Sequence, residues 1–192
     1  MAKLITKVQP NNINNSMCKP DWELVKSMNS PSNIIVNENT KLIIVGTITP
    51  PNGNGYYYTS KYNRIYGYID EALGTELKEM KKRLIEGDKS AIDSIKNCIA
   101  DKGIAFIDVI ESAIRVKSSS KDEDIKCCTL DYKSFEFLQE GTNYTIICNS
   151  KDAQECFQKI CDHHGICIEP RLLSQRWATK GSWIQAIDIA CK

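Results

Sequence analysis

Four aliphatic residues, LIIV at 42–45, end abruptly at Gly46, and this run constrains the fold more than any other feature of the 192-residue chain. An apolar run this short, bounded by turn formers, reads as a strand buried on both faces, as in a parallel sheet. A loop containing Pro50, Pro51, Gly53 and Gly55 follows, then Tyr56, Tyr57 and Tyr58, then Asn63 and Arg64 at the start of a helical pattern. In open α/β sheets, ligands bind beyond the carboxyl ends of such strands. Residues 41–68 therefore bring mobile backbone, aromatic faces and a polar amide to one sheet edge. Those are the parts of a site for a flat polar ligand.

The rest of the chain alternates. Residues 1–19 are polar and Asn-rich and read as an arm ahead of a single domain over 20–192. Trp22, Leu24, Val25 and Met28 suggest a short helix, and residues 34–36 a short strand. Apolar spacing predicts helices from Asn63 to the stop at Gly74, over 75–86 and over 90–100. GIAFIDVI at 103–110 is a second confident strand, and the polar, charge-alternating stretch 111–124 reads as a loop. A helix over 132–139, a strand over 144–148, a helix over 151–162 and a strand over 166–168 follow. The loop 171–180 then leads to a last helix over 182–191. Strands alternating with helices predict a three-layer α/β/α sandwich around a central, mostly parallel sheet of about four strands.

Composition narrows the function classes. A net charge of +1 argues neither for nor against nucleic acid, and no apolar stretch approaches the ~18 residues of a membrane span. The first residues lack the apolar core of a signal peptide, so a cytoplasmic protein is expected. Nine cysteines, an odd number without a secretion signal, argue against a disulfide framework. Cys98, Cys148 and Cys191 sit in apolar surroundings, where Cys behaves as a small hydrophobe. Cys156, Cys161, His163, His164 and Cys167 come closest to a metal site but contain no Cys-x-x-Cys pair, and a helix end followed by a buried strand accounts for them. Neither metal nor cofactor is expected.

The usual catalytic sets are poor. His163 and His164 adjoin each other at a predicted helix end, where a cation favours the helix dipole. No Gly-x-Ser-x-Gly elbow occurs, and Gly53-Asn54-Gly55 is followed by neither a Gly-Lys-Ser/Thr nor the third glycine of a dinucleotide fingerprint. The tyrosines 56–58 offer either a stacking face for a base or packing over the sheet. Asn63 is either a helix cap or an amide that positions a water. Arg115, Lys117 and Lys121 flank three serines, and Arg171, Arg176 and Lys180 form a second acid-free basic run around Trp177. Phosphate contacts from two such loops would supply salt-sensitive affinity.

LIIVGTITPP, YYYTSKYNR and IYGYI resemble the first motif of the uracil-DNA glycosylase superfamily, especially its mismatch-specific and hypoxanthine-type branches. GIAFIDVIESAIRVKSSSKDEDI at 103–125, YTIICNSKDAQECF and the final Leu172-Leu173-Ser174-Gln175-Arg176-Trp177 extend the likeness over residues 40–190. The resemblance implies an enzyme that flips a damaged base out of DNA and hydrolyses its N-glycosidic bond without a metal. A polar side chain positions the water, an aromatic stacks on the base, an amide reads its edge, and a closing loop grips the duplex.

The chain departs from that pattern where Gly46 is followed by Thr47, Ile48 and Thr49 instead of an Asp or Asn. The resemblance then moves the catalytic position to Asn63, with Thr49 as a hydroxyl that holds water. Gly46, Tyr56, Tyr57, Tyr58 and Asn149 become the base-binding set, and Arg64, Arg115, Lys117, Ser174, Arg176 and Lys180 the DNA contacts. The expected substrate is DNA with a damaged or mismatched base, and the expected state a monomer. Two alternatives stand beside this one: a module that binds DNA or a nucleobase without turnover, and an unrelated hydrolase with Asp108 as its base. Asp108 could instead cap the segment after its strand, the commoner role for such a residue.

Overall fold

The computed structural model describes residues 4–9, 13–30, 32–50, 54–117, 119, 121–140, 143–174 and 177–192. The strand β1 (Trp22–Lys26) precedes β2 (Leu42–Gly46), and the helices α1 (Ile65–Leu73), α2 (Leu77–Ile85) and α3 (Ala91–Asp101) follow. Next come β3 (Ile104–Asp108), β4 (Ile110–Val116), β5 (Ile125–Leu130) and β6 (Thr145–Cys148), then α4 (Lys151–His164), β7 (Arg171–Leu172) and α5 (Lys180–Cys191).

Two sheets result. The larger has strand order β3-β2-β6-β7, and all of its pairings are parallel. Leu42 to Val45 are fully buried, as the unbroken aliphatic run requires, and each such side chain contributes about 1.5–3 kcal/mol. Leu42 and Ile44 pack against α1, α2, α3 and α5 through residues such as Ile69, Leu84, Ile95 and Trp183. Ile43 and Val45 face the other way, toward Phe157 and Ile160 of α4 and toward β4 and β5. The fold is thus an α/β/α sandwich whose central sheet is parallel, as the alternation of elements predicts.

The chain leaves β2 toward one face of the sheet and leaves β6 toward the other. Adjacent strands with opposite exits open a crevice at their carboxyl ends, the usual ligand position in such sheets.

Several sequence expectations need correction. Trp22–Lys26 is a strand, not a helix, because it pairs antiparallel with β4 from Trp22↔Val116 to Lys26↔Ser112. Residues 110–116 and 125–130 are strands, where a polar loop was expected at 111–124. Their order, β1-β4-β5, forms a second, antiparallel sheet. The alternation Ser112–Ala113–Ile114–Arg115 buries every one of those residues, so the polar ones look exposed in the sequence and are not. Residues 166–168 form no strand, and the last strand of the large sheet is the short pair Arg171–Leu172. Residues 34–36 are not a strand either, and 133–140 is a 3-10 rather than an α-helix. The arm docks on β5: Gln9 donates to the Cys128 carbonyl, and Leu4 is 2% exposed.

No helix is long and apolar enough to cross a membrane among the described residues. No group of three or more His, Cys, Asp or Glu side chains among them is placed to hold a metal. Cys156 and Cys161 are buried against the sheet, whereas His163 and Cys167 are exposed and His164 bonds the Tyr132 carbonyl.

Candidate functional site

Gly46 ends β2 in the crevice and carries no side chain for a steric reason. A Cβ there would lie 2.6 Å from Asp108 Oδ1 and 2.9 Å from the Tyr58 hydroxyl, closer than real Cβ contacts. Asp108 ends the neighbouring strand opposite Gly46 and is 3% exposed. Its Oδ2 accepts the Thr49 backbone N–H at 2.7 Å and the Thr49 hydroxyl at 2.9 Å. Burial pushes the Asp108 carboxyl up to about 6; the Thr49 bonds pull it down, and Asp122 and Asp131 add to the rise.

A second carboxyl stands beside the same loop. The Thr47 hydroxyl donates to Asp122 Oδ1 at 2.8 Å, and burial raises Asp122 to about 6 as well. Residues 47–49 therefore run between two carboxyls of elevated pKa, one held by each threonine. Clusters of this kind concentrate at functional sites.

The three tyrosines separate by role. Tyr56 and Tyr57 are 2% and 1% exposed and pack near Phe106, with ring centroids 6.4 and 6.2 Å from it. Tyr57 donates to Asn29 Oδ1 at 2.7 Å, and the Tyr66 hydroxyl of α1 donates to the Tyr57 carbonyl at 2.7 Å. These two are core residues, and neither offers a face to a ligand. Tyr58 is partly exposed and sits edge-on to Phe106 at 4.9 Å. Its φ of +56° is the left-handed region that bulky residues avoid, a strain of about 1–3 kcal/mol. Burial and then Asp108 hold its phenol well above the ordinary range, so it is a neutral hydroxyl at any physiological pH.

Asn149 follows β6, and its N–H continues the ladder to the Val45 carbonyl at 3.0 Å. Its Nδ2 donates to the Tyr58 hydroxyl at 3.3 Å, while Oδ1 is buried with no partner. The helix cap here is Ser150, which accepts the Ala153 N–H, so Asn149 is released from the capping role. Gly46, Thr49, Tyr58 and Asn149 therefore meet around Asp108 and the end of β2.

Asn63 lies apart in its bonding. Its Oδ1 accepts the Ile65 N–H at 3.0 Å, leading into α1, and its carbonyl accepts from Lys81 Nζ at 2.6 Å. Exposed Arg64 and Asn63 line a groove of about 990 Å3 between α1 and α2, together with Lys78, Lys82 and Lys180. Lys180 is paired with Glu71 of α1.

The proposed DNA contacts of the first basic loop need correction at Arg115. It is fully buried in β4, its Nη2 donates to the Lys121 carbonyl at 3.0 Å, and Nε and Nη1 have no partner. It cannot reach a phosphate from there. Lys117 is exposed and donates to the Pro20 carbonyl. Ser174 is partly buried, and its carbonyl accepts from Ala178 N at 2.8 Å in the turn before α5. Trp177 in that turn is 79% exposed. Arg176 lies outside the described residues.

Sequence reasoning missed Asn29, Asp122 and Thr47. Asp122 stood in an acidic run that looked solvated, and Asn29 in a stretch expected to end a helix. Neither carries a local signal, because the partners of Asn29 are 28, 79 and 102 residues away.

No family model and no curated protein matches the chain. Among solved structures it is similar to the solution NMR structure of a Methanosarcina acetivorans protein provisionally described as a uracil DNA glycosylase. The two share 18% identity over 82% of this chain and 94% of that one, with a TM-score of 0.54. At that identity the likeness shows a shared fold alone.

Proposed function

We propose that the chain is a monomeric, cytoplasmic DNA glycosylase that removes a deaminated base, uracil or hypoxanthine, by hydrolysis. The observation that carries this reading is the pair formed by Tyr58 and Asn149. Asn149 Nδ2 points at the Tyr58 oxygen, which frees the phenol proton to donate, and Asn149 Oδ1 is an acceptor without a partner. Together they offer a donor beside an acceptor.

Uracil and hypoxanthine each present a carbonyl next to a ring N–H, which complements that pair. With the base held so that its carbonyl meets Tyr58, cytosine and adenine present an amino group there and a bare ring nitrogen to Asn149, which opposes the pair. Buried polar groups left unpaired by the wrong partner can discriminate by about 10⁴-fold or more. A base reaches such a site only when extruded from the duplex, at a cost of a few kcal/mol that is lower at a mismatch. The glycosylase-like fold and the position of the crevice support the same reading.

Around the pocket, exposed Trp177 stands in the loop after β7, where an aromatic can press on the duplex. Arg64, Lys180 and Ser174, with Arg176, are assigned to the phosphate backbone. Asn63 offers its amide NH₂ toward the groove, since its oxygen is held by α1. That held oxygen also favours a second reading, a protein that binds lesion DNA without turnover.

Duplexes containing uracil, hypoxanthine or xanthine, incubated with the protein and probed for abasic sites, test the proposal. Excision of uracil or hypoxanthine is expected. Tight, salt-sensitive binding without abasic product would select the second reading, and absence of both would sink the two together.

A further inference from the structure

We infer that Thr49 and Asp108 form a proton relay that activates the attacking water, an inference that rests on the glycosylase reading above. Thr47, Ile48 and Thr49, directly after Gly46, supply no carboxylate or amide to position water there, yet the neighbouring strand delivers a carboxyl to the same place. The Thr49 hydroxyl gives its proton to Asp108 Oδ2 at 2.9 Å. The oxygen of this partly exposed residue keeps its acceptor lone pairs and can take a proton from water.

The step balances. As the C1′–N bond breaks, its electron pair leaves with the base and the sugar gains oxocarbenium character. The water oxygen bonds to C1′, and its proton passes to Thr49 Oγ1 while the Thr49 proton passes to Asp108. The protonated Asp108 carboxyl later returns its proton to the departing base or to solvent. A threonine hydroxyl alone is too weak a base near neutral pH, and Asp108 supplies what it lacks.

The backbone N–H of Thr49 also bonds Oδ2, at 2.7 Å, so the hydroxyl is fixed relative to its acceptor. Groups facing Asp108 are the carboxyls of Asp122 and Asp131 and the phenols of Tyr57 and Tyr58, with the Asn29 amide on its peptide. Burial brings the Asp108 carboxyl to about 6, so it is mostly ionised at pH 7 yet basic enough to take a proton.

Single-turnover excision by the full chain tests the relay. D108N, isosteric and still able to accept from Thr49, and T49V should each slow excision by about 100-fold or more. The double variant should be little slower than either single one, because the two act as a unit. T49S should recover most of the rate. The wild-type rate should fall below about pH 6, and that limb should vanish in D108N. Binding to lesion-free duplex and the circular dichroism spectrum should not change in any variant. An active wild-type protein whose D108N and T49V variants keep its rate overturns the relay alone. A folded wild-type protein that excises no base overturns the glycosylase reading and the relay with it.

Discussion

Asn29 and Asp108, 79 residues apart, are joined by two hydrogen bonds that cover the peptide edge of Asp108. Asn29 Oδ1 accepts the Asp108 N–H at 3.0 Å, and Asn29 Nδ2 donates to the Asp108 carbonyl at 2.6 Å. The side-chain amide thus acts as a one-residue strand at the point where the parallel sheet ends. It also takes the Tyr57 hydroxyl and bonds Asp131 Oδ2, so one amide serves four partners.

N29A should therefore be costly for a single polar side chain. It leaves a buried N–H, a carbonyl and a phenol unsatisfied, each worth about 1–3 kcal/mol. A loss of about 3 kcal/mol or more in urea unfolding is expected, whereas a change under 1 kcal/mol would show that water replaces the amide without loss.

Gly46→Ala tests the close approach at the end of β2. The added methyl meets Asp108 Oδ1 and the Tyr58 hydroxyl inside van der Waals distance, and overpacking of this kind costs about 1–3 kcal/mol. Excision should be lost along with base binding, because both groups it displaces belong to the pocket. Full activity in G46A would mean that the pocket lies elsewhere.

Asn149 should behave in the opposite way. Its Oδ1 has no partner to lose, and its single side-chain bond is 3.3 Å long, so N149A should destabilise the fold by about 1 kcal/mol or less. Excision should nevertheless drop by about 10²-fold or more, since the acceptor for the ring N–H is gone. Equal losses in stability and rate would mark Asn149 as structural.

The raised carboxyls give the protein a definite pH signature. Asp108 and Asp122 each rise from 3.8 to about 6 on folding, so between those values the folded state holds more protons than the unfolded chain. Stability should increase on acidification from pH 7 to about 5, by about 1.3 kcal/mol per group and less than twice that for the pair, with the full gain of roughly 3 kcal/mol per group reached only below about pH 4. Asp88 and Asp124 are held below the usual range by hydrogen bonds from Ser90 and Ser119, and their contributions are lost only at lower pH. Urea midpoints at pH 7 and 5 measure the effect, and D108N should remove its share.

Trp177 separates stability from DNA contact. At 79% exposure its replacement by Ala should move stability by no more than about 0.5 kcal/mol. Stacking on a base or an unstacked step is worth about 1–3 kcal/mol, so duplex affinity should fall by roughly 5- to 150-fold. Unchanged affinity would remove this loop from the interface.

Much of the larger sheet was legible in the chain. LIIV and GIAFI are runs whose burial on both faces leaves no alternation to misread, and the parallel pairing followed from the helices between them. The second sheet was not. Its strands carry Glu23, Ser112, Arg115 and Thr129, and three of these are buried by pairing and packing across distant segments. A polar residue buried by tertiary contact reads in sequence like one in water. For the same reason Arg115 looked like a phosphate ligand, and Asp122 like a solvated acid. Gly46, Thr49, Tyr58 and Asn149 were within reach because each follows or ends a strand that could be recognised. Asn63 could be placed too, but its bond to Ile65 depends on where α1 starts.

Between Asp108 and Ile110 only Val109 separates the parallel sheet from the antiparallel one, and its N–H still bonds the Gly46 carbonyl while its carbonyl takes the Asp131 N–H. The Ile110 N–H bonds the Thr47 carbonyl in turn, and Asn29 ties Asp108 to Asp131, so the two sheets are joined at the root of the pocket. A tilt of the β1-β4-β5 ribbon, on which the arm docks, would therefore bear on the carboxyl at its root. A surface with no chemistry of its own thus holds leverage over the floor of the pocket.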